Sequence, residues 1–589
     1  VEVWKSVLNT EIVSVFDNFF ELGGHSLTMI KLQNVYQEKF HKKINIKQLF
    51  NQYTPEAHAR LIDSTAKGEY ETIVPAPKME NYPLSDGQLR IWILSQLEES
   101  SITYNMPFSE KLDDEVDIDQ FEKAIFKTVE HYEVLRTQFV TDENGEPRQQ
   151  ILAVEGLKFE VLRHEKMDKA EMDTLQEKDA ETAFDLTQGP LIRAALFNVD
   201  NSWVFYCNIH HIICDAVSMD RLYDTIGKYY ESFVNETYPP EKLRIHYKDY
   251  SVWQQEQINK EGTSLDASFW KRKLQHVVSR VDLPGNKMRP DQRSFGGHEY
   301  GIYLGTQLSD SIDKYTNQQG VSLFIFFLTA MNSMLHRYSG ANTITIGTSV
   351  DGRSHADLSD QIGFFINALP LRTHVDGEKS FEENIKSVGS EILEMFDHQA
   401  YPFDKMVNDF DKNRDQSRNP FFDMRLTVQN GNPLSNENQM LPFDMIDKGE
   451  GLVKLDLSLI VEDTGNSFVV YANYNTQIYD AHVIQNFLSD YARFIENGLA
   501  NPKLLLKDHS YKDVRSEIEF KELIVDQQLF ERYVGNNATD VDVRDRYGNK
   551  LSEGGRGYVY GNGNEISSLI ATYTNQSIQL HETISSFRD

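Results

Sequence analysis

Residues 203–216 read WVFYCNIHHIICDA. The part from 203 to 213 is apolar and rich in aromatic and β-branched residues, which is how a buried strand reads. Successive strand side chains point to opposite faces, so His210 and His211 are expected to face different ways, one into a packed interior and one into a cleft. Asp215 follows just past the strand, where it can anchor the turn into the helical string VSMDRLYDTIGKYYESF. Histidines that diverge make poor joint metal ligands, and no further His/Cys cluster lies nearby in the sequence. A neutral imidazole that accepts or orients the proton of an attacking amine suits the H-H-x-x-x-D spacing better.

Working outward, the first 68 residues carry helical strings at VEVWKSVLN, LTMIKLQNVYQEKF, IKQLF and TPEAHARLIDSTAK. Three to four short helices in that length make a small bundle. Before the second strong helix stands Gly23-Gly24-His25-Ser26. Two glycines make an open turn. Ser26 then falls at the helix N-cap or in its first turn. It is either a capping residue or the bearer of a phosphate, which a helix N-terminus stabilises through its free N–H groups. Residues 69–82 hold two prolines and no clear period, the pattern of a semi-extended linker that lets the bundle move.

The string FFELGGHSL (19–27) resembles the phosphopantetheine attachment motif of peptidyl carrier proteins. That resemblance implies a covalent 4′-phosphopantetheine arm on Ser26, whose thiol holds an acyl group. The 203–216 segment resembles the HHxxxDG motif of condensation domains, chloramphenicol acetyltransferase and related acyl transferases. Six other strings separate these families: SDGQLRIW (85–92), HYEVLRTQF (131–139), YKDYSVW (247–253), IGFFINALPLR (362–372), HQAYPFD (398–404) and RDQSRNPF (414–421). Together they resemble, in order, the motifs of non-ribosomal peptide synthetase condensation domains. The expected fold class is therefore multidomain. A small all-α four-helix carrier bundle (1–68) and a linker (69–82) precede a two-lobed α/β, chloramphenicol-acetyltransferase-like condensation domain, with lobes 83–255 and 256–505 flanking a tunnel.

The resemblance also implies roles. His211 positions or deprotonates the acceptor amine, while His210 and Asp215 support the site. Asp215 is expected to pair with an arginine, for which Arg353 and Arg136 are the candidates, and Asn367 is expected to line the region bridging the lobes. Two positions depart from the family pattern: His131 stands where Arg is usual, and Ala216 where Gly is usual. A methyl at Ala216 either narrows the acceptor side of the tunnel or is absorbed by a small backbone adjustment. The motifs favour condensation over epimerising or heterocyclising types, and because the carrier joins the condensation domain with no epimerase between, the resemblance implies an L-configured donor. Implied partners are an upstream adenylation domain, a downstream acceptor carrier and a phosphopantetheinyl transferase. The reaction expected is amide formation; ester formation and a silent docking platform are the alternatives.

Bulk properties agree with this reading. The chain has 589 residues and a net charge of −31, so its average field repels nucleic acid and anionic membranes. Two cysteines, Cys207 and Cys214, are too few for a disulfide framework or a zinc site. No stretch approaches 18 uninterrupted apolar residues and no signal peptide is visible, so a cytoplasmic location is expected. The chain opens on Val1 inside a helical string, as a piece of a longer protein would. Residues 506–589 lie outside the condensation pattern. There VDVRDRYGNKLSEGGRGYVYGNG (541–563) reads as strand–turn–strand. It weakly resembles a stretch of adenylation domains, with Tyr558 where Glu is usual, as a remnant would; an unrelated interaction module is the alternative.

Overall fold

The computed structural model describes residues 1–8, 10–19, 21–24, 26–42, 44–65, 72–96, 102–260, 265–274, 280–353, 355–411, 415, 417–430 and 440–509. Of the tail it describes the backbone of 541–544, 556–561, 564–574 and 577–581.

Four helices form the N-terminal bundle: α1 (Glu2–Leu8), α2 (Ser26–Phe40), α3 (Ile46–Asn51) and α4 (Pro55–Ser64). Trp4, Phe19, Met29, Leu32, Ile46 and Leu49 fill its core. A polar thread crosses that core without leaving a group unmet. Trp4 Nε1 donates to the Tyr36 hydroxyl at 2.8 Å, which meets His58 Nδ1 at 3.0 Å, and His58 Nε2 meets the Leu49 carbonyl at 3.0 Å. Thr54 caps α4 through its side chain, and Pro55 takes the first helical position, where a missing N–H costs nothing.

The bundle touches the large domain through α2 and α3. Asp397 accepts the Ile46 amide at 3.0 Å, Lys47 Nζ donates to Ser390 Oγ at 2.7 Å, and Asn34 Nδ2 donates to the Arg353 carbonyl at 2.7 Å. The segment expected to move freely is tied down from Ile73 onward. Ile73 is buried, its amide donates to Asp357 and its carbonyl accepts from Arg244, while Asp249 accepts the Ala76 amide.

The next elements are β1 (Tyr82–Pro83), α5 (Asp86–Ser95), β2 (Asn105–Lys111), α6 (Ile118–His131), β3 (Thr137–Thr141), β4 (Pro147–Ile151), β5 (Val161–Met167), α7 (Lys169–Ala180), β6 (Ile192–Val199), β7 (Ser202–His210), α8 (Ala216–Val234) and α9 (Tyr247–Lys260). Strands run β2-β7-β6-β5 in one sheet, and β1-β4-β3 form a second. Helix α6 turns Phe121, Ala124, Ile125 and Val129 inward, the i, i+3, i+4 spacing of an amphipathic helix. Its Phe121 ring meets Phe205 of β7 edge-on at 5.5 Å.

The second lobe contains α10 (Leu265–Leu274), β8 (Gly296–Tyr303), α11 (Thr306–Gln319), α12 (Leu323–Ser339), β9 (Thr343–Val350), β10 (Asn367–His374), α13 (Phe381–Asp397), α14 (Phe403–Phe410), β11 (Met424–Asn430), β12 (Met445–Leu452), β13 (Leu457–Asp463), β14 (Phe468–Asn475) and α15 (Ala481–Ala500). Its seven strands run β10-β9-β11-β13-β14-β8-β12. Helix α12 is buried all round from Ile325 to Leu335, as its near-continuous apolar sequence requires. Between β9 and β10 the chain leaves this lobe: Leu358, Ile362 and Phe365 pack into the core of the first. In the tail, β15 (Val541–Arg544), β16 (Arg556–Gly561), β17 (Asn564–Thr574) and β18 (Ser577–His581) pair antiparallel in sequence order.

Candidate acyl-transfer site

The strand expected to run to residue 213 stops at His210, and His211–Ile213 form a single 3₁₀ turn. The two histidines therefore diverge because the strand ends between them. His210 is 1 % exposed, with the rings of Tyr104 and Phe184 at 6.3 and 5.9 Å. Its Nδ1 accepts the Ile212 amide, which holds the turn. Burial pushes the His210 imidazole down to about 3, so it stays neutral.

His211 keeps part of its surface accessible. Its Nδ1 meets the Cys214 carbonyl at 2.7 Å. A carbonyl can only accept, so Nδ1 carries the hydrogen and Nε2 presents its lone pair. Burial lowers the His211 pKa, and the Lys454 ammonium lowers it further. The ring stands edge-on to Phe364 at 5.1 Å.

Asp215 is fully buried and caps α8. One oxygen accepts the Ser218 amide and hydroxyl, and the other accepts the Phe365 amide. Arg353 grips both oxygens, at 3.0 and 3.1 Å. Burial alone would lower the guanidinium, but Asp215 and Asp351 hold it above its usual value. Of the two candidate arginines, Arg353 is the partner. Arg136 is a correction: it donates to the Leu152 carbonyl and faces Glu133 at 3.7 Å, where it fastens the start of the β3–β4 hairpin. Ser218, absent from the expected site, joins the lobes by accepting the Gly363 amide at 3.0 Å. Its signal was readable: it sits three residues past a helix-capping Asp.

Other motif residues wire the histidine turn in place. Gln88 of the α5 capping box donates to the Ile212 carbonyl at 3.3 Å. Ser85 Oγ meets the Tyr247 hydroxyl at 2.7 Å, and that hydroxyl donates to the Phe364 carbonyl. Asn367 donates to the Gln399 and Tyr401 carbonyls and accepts the Phe403 amide, so it fixes the 398–404 segment. It also lines a cavity of about 760 Å³ between the lobes, with Ser85, Arg90, Trp253 and Phe364. Gln33 and Asn34 of α2 close the cavity on the bundle side. The RDQSRNPF arginine, Arg418, is structural: with Arg280 it holds Asp423, whose carboxyl burial would raise but the arginines keep well below its usual value. His131, in place of Arg, meets the Tyr229 hydroxyl at 3.1 Å. Ala216 is the exposed first residue of α8.

The turn before α2 suits an attached phosphate. Gly23 has φ +83° with open space around it. A Cβ on Gly24 would stand 2.3 Å from the Phe19 ring, so only glycine lets the turn close there. Ser26 opens a 15-residue helix, whose first N–H groups favour an anion. The Ser26 side chain and His25 lie outside the described residues.

Comparison with known proteins identifies both domains. The family model of the condensation domain matches residues 78–517, and that of the phosphopantetheine attachment site matches residues 1–62. The chain is 32% identical over 511 residues to bacitracin synthase 3 of Bacillus licheniformis, covering 86% of this chain and 8% of the relative. It is 31% identical over 531 residues to gramicidin S synthase 2 of Brevibacillus brevis, covering 89% of this chain and 12% of the relative. The chain thus spans only a small part of the length of either protein. Among solved structures, the X-domain in complex with OxyB from teicoplanin biosynthesis superposes with a TM-score of 0.65 at 20% identity, over 76% of this chain and 99% of that one. The first condensation domain of the calcium-dependent antibiotic synthetase gives 0.57 at 18%, over 74% of this chain and 100% of that one. A phosphopantetheine attachment domain followed by a two-lobed condensation fold, with relatives among antibiotic synthetases, places the chain in the non-ribosomal peptide synthetase family, as a carrier joined to a condensation domain.

Proposed function

We propose that this chain forms amide bonds between a donor acyl group held on its own carrier and the amine of an aminoacyl group on a downstream carrier. Residues 1–68 are the donor carrier, 83–255 and 256–505 the two lobes, and 506–589 an appendage outside the reaction. The observation that supports this most is the His211–Cys214 hydrogen bond, which fixes the tautomer with a free Nε2 at the turn between the lobes. The phosphopantetheine arm, attached at Ser26, supplies the thiol that holds the donor as a thioester.

His211 Nε2 accepts a hydrogen bond from the acceptor amine and orients its lone pair toward the thioester carbonyl carbon. As the C–N bond forms and the C–S bond breaks, the amine proton leaves through His211 and the sulfur departs as a thiol. Holding both reactants in one channel supplies much of the rate, because the encounter becomes effectively intramolecular. Proton transfer adds on the order of 10²–10⁴-fold. Asp215 and Arg353 act through position: they pin the turn that carries His211 and tie it to the second lobe. An L-configured donor fits the motif set. An upstream adenylation domain, a phosphopantetheinyl transferase and a downstream acceptor carrier, all in the cytoplasm, complete the setting. Among the described residues no helix is long and apolar enough to cross a membrane.

The test is mass spectrometry after incubation with coenzyme A and a broad-specificity phosphopantetheinyl transferase, then with an aminoacyl-loaded acceptor carrier. A pantetheine adduct on Ser26 and acyl transfer lost in His211→Ala are expected. An adduct without transfer from wild type to any amine would point to a docking platform, and transfer to hydroxyl acceptors alone to an ester-forming enzyme.

A further inference from the structure

The cavity of about 760 Å³ between the lobes is closed on the carrier side by Gln33 and Asn34 of α2. Ser26, which opens α2, stands seven residues before Gln33, about 10 Å along the helix axis. The cavity therefore lies on the side from which a group tethered to the carrier approaches. His211 is not part of its wall. Phe364 is, and its ring also stands edge-on to the His211 ring, with 5.1 Å between centroids and 88° between planes. The Phe364 ring thus borders the cavity and the imidazole at once.

This ring has little room to swing. The backbone around it is tied at three points: the Gly363 amide donates to Ser218 Oγ at 3.0 Å, the Phe364 carbonyl accepts from the Tyr247 hydroxyl, and the Phe365 amide donates to Asp215 at 3.0 Å. The next ring, Phe365, is packed between Tyr247 and Tyr250, each 4.9 Å away, and the Arg353 guanidinium, 4.3 Å from its centre. Only side-chain torsions are left to Phe364, and α5 restricts those. A Cβ on Gly87 would stand 2.8 Å from two atoms of the Phe364 ring, so the ring lies on the bare backbone of α5. Glycine weakens a helix relative to alanine, and here it provides the seat for this ring. A ring so held acts as a fixed wall, not as a swinging door.

We propose that Phe364 is a specificity-determining residue: its ring narrows the passage from the carrier-side cavity to His211, so the site takes donor acyl groups with small side chains and rejects bulky ones. This rests on the acyl-transfer reading of the same site. Attack requires the reacting atoms to come within about 3–3.5 Å of each other. The thioester carbonyl must then sit beside His211, which brings the side chain on the adjacent carbon against the Phe364 ring. The tied backbone cannot widen to admit a larger group, and one methylene too many in a close-packed wall is felt as about 10–200-fold in rate.

For the test, the carrier of the full chain is loaded with N-acetyl-alanyl or N-acetyl-tryptophanyl pantetheine from the matching coenzyme A thioesters, so that the donor amine cannot act as acceptor. Single-turnover transfer to a panel of aminoacyl-loaded acceptor carriers is followed by mass spectrometry. Wild type should transfer the alanyl donor at least about 10-fold faster than the tryptophanyl donor. In Phe364→Ala the tryptophanyl rate should rise until the two are about equal, with Phe364→Leu in between. A rise in rate cannot come from misfolding, so it reports on the passage. Equal rates for the two donors in wild type overturn the proposal. So does a Phe364→Ala variant that slows both donors by the same factor, because the ring then only supports His211. Transfer still occurs in both of those outcomes, and the acyl-transfer reading stands. If neither wild type nor Phe364→Ala transfers either donor to any acceptor, that reading falls and the proposal falls with it.

Discussion

Replacing Asp215 by alanine should damage the protein through Arg353 more than through chemistry. Both residues are buried, at 0 % and 5 % exposure, and the carboxylate accepts two hydrogen bonds from Arg353, two from Ser218 and one from the Phe365 amide. Removing one partner of a buried pair costs about 3–5 kcal/mol, because a charge is left uncompensated. Asp351 still contacts Arg353, which argues for the lower end, while losing the α8 cap adds about 1 kcal/mol. The expected loss is thus about 4 kcal/mol. The measurement is urea unfolding followed by amide signals of α8, because a multidomain chain need not unfold as one unit. The double variant Asp215→Ala/Arg353→Met should be more stable than the sum of the single losses predicts, by about 2–3 kcal/mol. Activity should fall in step with stability in all three variants. If Asp215→Ala changes stability by less than about 0.5 kcal/mol yet abolishes transfer, the positioning account is wrong and the carboxylate takes part in the chemistry.

Other outcomes follow from single residues. Because burial lowers the His211 pKa, the rate of transfer should stay flat as pH falls past the usual histidine value near 6.5, with its acid limb below that point, in single-turnover assays. His58 in the carrier is fully buried and pushed down to about 4. A depressed imidazole is neutral in both states above about 6.5, and the unfolded chain takes the proton first as pH falls; the carrier should therefore lose stability between about 6.5 and 4, by about 3 kcal/mol at most, in urea midpoints read from α2 amides. Tyr247→Phe removes the hydroxyl that meets Ser85 and the Phe364 carbonyl, and should cost about 1–3 kcal/mol in first-lobe unfolding.

The family and the broad fold class were legible in sequence because local strings carry them. The carrier helices, the strand before His210 and the helix after Asp215 follow from apolar period, capping residues and turn glycines. What could not be read was any pairing across long separation. Nothing local chooses Arg353 over Arg136 as the partner of Asp215; Arg353 lies 138 residues downstream and arrives only because the chain between β9 and β10 enters the first lobe. The same holds for Ile73, whose linker context reads as free chain yet docks beside Asp357.

Local strings were thus enough to tell that this chain joins a carrier to a condensation domain, which residues punctuate its elements, and which histidine pair to watch. That His211 presents Nε2 is a property of the folded state, since it depends on a 3₁₀ turn bringing the Cys214 carbonyl to Nδ1. Long-range packing likewise brings Lys454 to Tyr104. Periodicity and capping are properties of neighbours along the chain, whereas protonation state and unpaired charge depend on what the fold packs against each group, and that is fixed only when distant segments meet.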